Sequence, residues 1–225
     1  MSLEELRFVE DAQLLSGHCA ILLNTTDAAK QLLARSSRPL EALNLCRDLL
    51  QWEQAMALAG NLASDQVPNI ASEYAQQLEL NGNYIEALAN YEHGLESGSG
   101  LHQKLCKAGV ARTSIKCGNH QYGVQIALEL MDKQLLDDCA DALVQINHLQ
   151  EAAQLYEKCD EWDKACSLYI QLKQWQRVDI ILPQVTSLRL HALHAKAKET
   201  DGKFRDAIKS YTVIIFLLFN SINQS

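Results

Sequence analysis

The sequence predicts an all-α protein, an α-solenoid of antiparallel helix hairpins, and three observations predict it. Residues 136–182 carry four consecutive copies of one pattern: Leu136–Cys139–Leu143, Leu149–Ala152–Tyr156, Trp162–Ala165–Tyr169 and Trp175–Val178–Leu182. Each is a bulky apolar residue, a small or β-branched one three later and a large apolar one four further on. Positions i, i+3 and i+7 share one face of a helix and alternate badly as a strand. The copies recur every 13 positions without a break, which accommodates about 10 helical residues and a tight turn of the kind that joins packed helices. Finally, only Pro39, Pro68 and Pro183 punctuate a chain abundant in Ala, Leu, Gln and Glu, a balance that favours helix. One such helix cannot bury its stripe alone, whereas stacked neighbours bury a continuous core.

The elements follow in order. Ser2 and Glu5 have capping-box spacing and open a first helix through Leu15, with a second across His18–Leu23. Asp27 serves as N-cap for a helix carrying Ala29, Leu32 and Leu33, and Pro39 suits a first helical turn. The 13-residue rhythm shows early, in Pro39–Ala42–Cys46 and Trp52–Ala55–Ala59. Ala71–Glu96 reads as a helix pair, with Gly82 at the turn and Tyr84, Ala87 and Tyr91 along the second helix. The same unit returns as Gly202, Phe204, Ala207 and Tyr211, with Ala75 and Ala195 at the matching small position of each first helix. Gly ends one helix in a left-handed conformation, and the aromatic two residues on packs back over the turn. A looser version is Gly118–Asn119–His120 before Val124 and Leu128. Ser97–Gly98–Ser99–Gly100 reads as an exposed flexible loop within one array, and Pro183 closes the helix that carries Trp175. Residues 1–212 thus form the repeat array and 213–225 a divergent tail, apolar and then polar.

Composition narrows the chemistry. A net charge of −8 and the lack of a dense basic run argue against a nucleic-acid partner, and Lys196–Lys198 and Lys203–Arg205 read as solvated helix faces. Val213–Phe219 is wholly apolar, yet seven residues fall far short of the ~20 that span a bilayer. The acidic N-terminus, with Glu4, Glu5, Glu10 and Asp11, is unlike a signal or transit peptide. Seven cysteines, at 19, 46, 106, 117, 139, 159 and 166, are scattered without a CxxC pair, so they read as reduced thiols filling small core positions in a reducing compartment. His191 and His194 stand three apart on a helix but lack a third donor within one turn on the same face, and read as a half-exposed pair without metal. His18–Cys19, Cys159 and Cys166 lack an orienting third group for a nucleophile. Asp137–Asp138 and Glu161–Asp163 read as N-cap and first-turn acids. No catalytic, cofactor or metal residues are expected. Tyr84, Tyr91, Tyr156, Tyr169, Tyr211, Trp162, Trp175 and Phe204, with Leu149, Ala87, Ala152, Ala165, Ala207, Gly82 and Gly202, are read as inter-helix packing residues.

The Gly82 and Gly202 units resemble tetratricopeptide repeats, while the 13-residue units resemble the degenerate repeats of coat proteins and intraflagellar transport subunits. The stretches "LLSGHCAILLN", "WEQAMALAGNLASDQVPNIASEYAQQLELNGNYIEALANYEHGL", "AGVARTSIKCGN", "EAAQLYEKCDEWDKACSLYI" and "HAKAKETDGKFRDAIKSY" are similar, in that order, to one family. It is the WD-repeat-plus-tetratricopeptide subunit of intraflagellar transport complex A (WD repeat domain 19 type), in its helical C-terminal half. The likeness covers about residues 3–212 and stops after Tyr211, where Ile214 replaces a small residue. It implies a tetratricopeptide-like solenoid acting as a non-enzymatic ciliary scaffold in retrograde transport, which helps membrane-protein cargo enter cilia. Its implied partners are the other complex A subunits and cargo adaptors; its implied location is the cytoplasm, the cilium and the ciliary base. Family members begin with β-propellers that this sequence lacks, so the chain reads as a fragment or shortened product. The competing reading is a general peptide-binding or coat-type module of vesicle traffic.

Overall fold

A computed structural model describes the backbone of residues 11–96 and 100–223, and side chains over the same residues as far as Ile215. Among them every regular element is helical. The chain divides into two compact units, Met1–Val110 and Ala111–Ser225.

Unit 1 holds α1 (Ala12–Leu22), α2 (Thr26–Ala34), α3 (Leu40–Asp48), α4 (Trp52–Leu62), α5 (Val67–Leu80), α6 (Tyr84–Gly94) and most of α7 (Gly100–Lys116). From α1 to α6 each helix packs on the next, and short turns reverse the chain between them. Leu14, Leu33 and Ala42 form one buried cluster, and Leu43, Cys46, Trp52, Ala55, Ala59 and Ile70 a second. Leu33 is 1% exposed; burying a leucine fully contributes about 1.5–3 kcal/mol. Trp52 stacks on Tyr74 at 6.0 Å between ring centroids.

Unit 2 continues from the end of α7 into α8 (His120–Leu130), α9 (Lys133–Gln145), α10 (Leu149–Lys158), α11 (Trp162–Gln171), α12 (Trp175–Ile181), α13 (Leu188–Thr200) and α14 (Phe204–Asn223). Here too neighbours in sequence are neighbours in space, α8 through α12 in succession and α13 on α14. The 13-residue step is written into the backbone as well as the side chains. Asn147, Asp160 and Lys173, each 13 after the last, take positive φ at 64°, 66° and 56°. Gly82 and Gly202 fill the equivalent turns at φ 82° and 73°.

Several local expectations change. The Ser2–Glu5 box lies outside the described residues. α1 runs unbroken through Ser16–Gly17, its N-cap Asp11 accepting from Gln13 N and Leu14 N at 2.8 and 3.2 Å. Gly17 joins rather than divides, because a Cβ there would meet Leu33 at 2.6 Å. Thr25, not Asp27, is the N-cap of α2; Asp27 binds Lys30 Nζ at 2.6 Å instead. Ser97–Gly98–Ser99 lie outside the described residues, and Gly100 is the first residue of α7. In α8 the buried residues are Gly123, Ile126 and Ala127, one position off the expected Val124 and Leu128. Asp132 caps α9, which leaves Asp137 and Asp138 in mid-helix. In α12, Ile181 is buried, while Leu182 falls in the 3₁₀ turn with Pro183, where the helix ends. The boundary read at residue 212 falls within α14.

Candidate functional site

The helices are joined by a recurring polar contact in which a tyrosine donates to an acid on the preceding helix. Tyr91 reaches Glu79 at 2.9 Å, Tyr169 reaches Glu157 at 2.9 Å and Tyr211 reaches Glu199 at 3.1 Å, each pair 12 residues apart. Tyr156 makes the related contact to Asp141. At Tyr91, Tyr156 and Tyr169 the ring is buried while its hydroxyl finds a charged acceptor, which leaves no orphaned polar atom; Tyr211 makes the same bond from an exposed position. Burial first and the carboxylate second hold the Tyr169 phenol up at about 12; the same two causes raise Tyr156. Trp52 Nε1 donates to Gln77 in unit 1 by the same logic.

A second polar cluster joins α12, α13 and α14, with its histidines and lysine buried and Asp179 at the surface, 47% exposed. Asp179 accepts from His194 Nε2 at 2.9 Å and from Lys198 Nζ at 2.7 Å. His194 Nδ1 stands 3.0 Å from Ser210 Oγ. His191 Nε2 donates to the Val185 carbonyl at 3.0 Å. The two histidines are 1% and 2% exposed, and Lys198 is 3% exposed. The pair expected to be half-exposed is therefore interior, and Lys198 leaves the solvated face assigned to it. Burial, outweighing Asp179, pushes His194 below the ordinary histidine value. Because Asp179 only accepts, Nε2 carries the proton and Nδ1 accepts from Ser210.

An open groove of about 610 Å³ runs along unit 2, lined by residues of α9, α10, α11 and α13, among them Tyr156, Lys164, Leu168, Arg189 and Leu193. Lys164 is held by Asp137 at 2.6 Å and lies 5.0 Å over the Tyr156 ring. Asp163, in the first turn of α11, accepts from Thr186 N and Thr186 Oγ1 at 2.9 Å, so it tethers the loop before α13. A smaller hollow of about 420 Å³ in unit 1 lies beside Trp52, Tyr74 and Gln77.

The packing residues read from sequence separate into three sets. Ala87, Ala152 and Ala165 are fully buried, with Tyr91 and Tyr169 at 1%, Ala207 at 3% and Tyr156 at 4%. Tyr84, Leu149, Trp162 and Trp175 are half-buried. Phe204 and Tyr211 are exposed at 63% and 39%. Of the cysteines, 46, 106, 139, 159 and 166 are buried, while Cys19 and Cys117 are exposed and depart from the expected core role. Burial raises the Cys166 thiol to about 12 and also raises Cys159; a thiol so displaced is poor in the nucleophilic thiolate. His18 instead stands 2.8 Å from Glu41. The acid-to-tyrosine pairs went unread in the sequence, although the 12-residue spacing carried the signal.

These features define an all-α repeat protein whose polar groups are spent on joining helices. No family model matches the chain. Over 211 residues, 94% of its length, the chain is 44% identical to WD repeat-containing protein 19 of Homo sapiens and 43% identical to that of Mus musculus. It is 38% identical over 216 residues to WD repeat-containing protein dyf-2 of Caenorhabditis elegans. The resemblance read in the sequence is thus shown over nearly the whole chain, which spans 16% of the length of each of these relatives. Among solved structures, a tetratricopeptide repeat protein from Parabacteroides merdae aligns with a TM-score of 0.44 at 11% identity, covering 91% of both chains. MamA aligns with a TM-score of 0.41 at 14% identity, covering 69% of this chain and 99% of that one.

Proposed function

We propose that the chain is a non-catalytic scaffold segment of the intraflagellar transport complex A type, binding sister subunits through its helical faces during retrograde ciliary transport. The observation that carries this reading is the 44% identity sustained over 94% of the chain. Colinear identity of that extent in a repeat protein exceeds what shared helix packing alone demands, since packing constrains mainly the small and aromatic positions. Consistent with a non-catalytic role, two buried thiols are raised and the buried His194 is held between Asp179 and Ser210. Among the described residues no helix is long and apolar enough to cross a membrane. Cytoplasm, cilium and ciliary base are the proposed locations, and cargo adaptors for membrane proteins the proposed further partners.

Affinity capture of the tagged chain from ciliated cells, with identification of the bound chains, tests the reading. Enrichment of complex A subunits over a scrambled-groove control supports it; recovery of vesicle-coat subunits in their place overturns it. The unit 2 groove favours a second reading as a peptide-binding module, because it presents Lys164 and Arg189 beside the apolar Leu168 and Leu193. Loss of all capture on Arg189→Glu, with melting unchanged, would favour that module.

A further inference from the structure

We propose that His120, His148 and Glu151 form a binding site for one divalent transition-metal ion of the zinc class. One donor atom from each of the three side chains lies within 4.8 Å of the others, and all three residues are half-buried. Each histidine follows a turn with a left-handed residue. Gly118 at φ 94° and Asn119 precede His120, the first residue of α8; Asn147 at φ 64° precedes His148, the N-cap of α10. The turns before α8 and α10 thus set imidazoles at neighbouring positions, first helical residue in one and N-cap in the other, 28 residues apart in sequence, and their ring centroids come within 3.9 Å. Glu151 adds its carboxylate from the first turn of α10.

The spacing suits shared coordination better than mutual hydrogen bonding. His148 Nδ1 stands 3.7 Å from Glu151 Oε1, too long for a good hydrogen bond. Donors about 2.0–2.1 Å from a tetrahedral zinc are about 3.3 Å apart, so modest side-chain rotation closes the set. His120 Nδ1 lies 3.4 Å from the Gly118 carbonyl, a long contact that would have to shorten before it could orient the imidazole as a ligand. Two imidazole nitrogens and one carboxylate oxygen suit zinc, nickel or copper over calcium or magnesium, which take oxygen donors. Three protein donors leave a fourth position for water. An ion here clamps the turn before α8 to the turn before α10, across the whole of α9. The proposal is independent of the ciliary reading.

The test is calorimetric titration of the full chain with Zn²⁺, paired with Co²⁺ absorption and melting with and without Zn²⁺. One ion per chain is expected, with a cobalt d–d spectrum free of a thiolate charge-transfer band and a melting temperature raised by Zn²⁺. His120→Ala and His148→Ala should each weaken binding at least about tenfold and abolish the zinc-dependent rise in melting. Glu151→Gln should do the same to a smaller degree, and as the mildest change it decides the matter if a histidine variant fails to fold. Absence of binding, affinity unaltered in the variants, or a thiolate band placing the ion on cysteines would each overturn the site.

Discussion

Tyr169 shows how single residues lock this structure. Its ring is buried in α11 and its hydroxyl donates to Glu157 on α10 at 2.9 Å. Tyr169→Phe keeps the ring and removes that bond, so urea unfolding should show a loss of about 1.5–3 kcal/mol, the range for hydrogen bonds to charged groups. The phenol is held up at about 12 from an ordinary 10.0. A folded value above the unfolded one means that its contribution is complete below pH 10.0 and is lost as pH rises toward about 12. The variant should therefore lose less stability than the parent across that alkaline range. His194 has the opposite sign. Its value is lowered by burial, so the unfolded chain takes up the proton first as pH falls below the ordinary 6.5, and stability declines on acidification. Asp179, Lys198, Ser210 and His191 surround or neighbour it. Unfolding measured at neutral pH and again on the acid side should show a shallower decline in His194→Gln; an unchanged slope would place the acid-sensitive group elsewhere.

At the scale of the helix and its turn, the 13-residue period has a conformational counterpart. The left-handed residue that closes one helix is Asn147, then Asp160, then Lys173. A non-glycine residue in that conformation costs roughly 1–2 kcal/mol, part of which glycine returns through its larger unfolded entropy. Lys173 is exposed, so Lys173→Gly should stabilise by about 0.5–1 kcal/mol in thermal melting; destabilisation would mean that its side chain contributes contacts. Close helix approach predicts the reverse at Gly123. A Cβ there would meet the Ala111 carbonyl oxygen at 2.5 Å and Ile115 at 2.6 Å. Gly123→Ala should cost about 1–3 kcal/mol through overpacking of α8 on α7. The period from Leu136 to Val178 was legible because each turn of burial repeats locally, as Ala152 and Ala165 illustrate. The burial of His191, His194 and Lys198 was not, because a polar residue on an interior face looks like one on a wet face until its partner is known, here the Val185 carbonyl for His191 and Asp179 for the other two. The one-position slip in α8 has a similar origin. Gly123 carries no hydrophobic signal, yet it is buried where α8 meets α7 with no room for a Cβ.

At the scale of the whole molecule, the described helices within each unit pack mainly on the ones beside them in sequence. Within unit 2, α9 packs on α8 and α10, whereas α14 packs on α13. Stability in such an array is a sum of local helix terms and nearest-neighbour interfaces. A lesion should therefore spread over a helix or two and then fade, in contrast to a globular core that responds as one body. Leu136, 1% exposed in α9, provides the test. Leu136→Ala removes a buried leucine at a cost of about 2–5 kcal/mol. Hydrogen exchange should then accelerate in α8, α9 and α10, the helices that touch the cavity directly, while α13 and α14 keep their parent rates. Uniform acceleration through α14 would show that the unit unfolds as one cooperative body, and nearest-neighbour coupling would have to be abandoned as its organising principle. The same locality bears on the metal clamp. An ion joining the turns before α8 and α10 adds an interaction between helices that are not sequence neighbours, so zinc should slow exchange in α8 through α10 together, in the parent and not in His148→Ala.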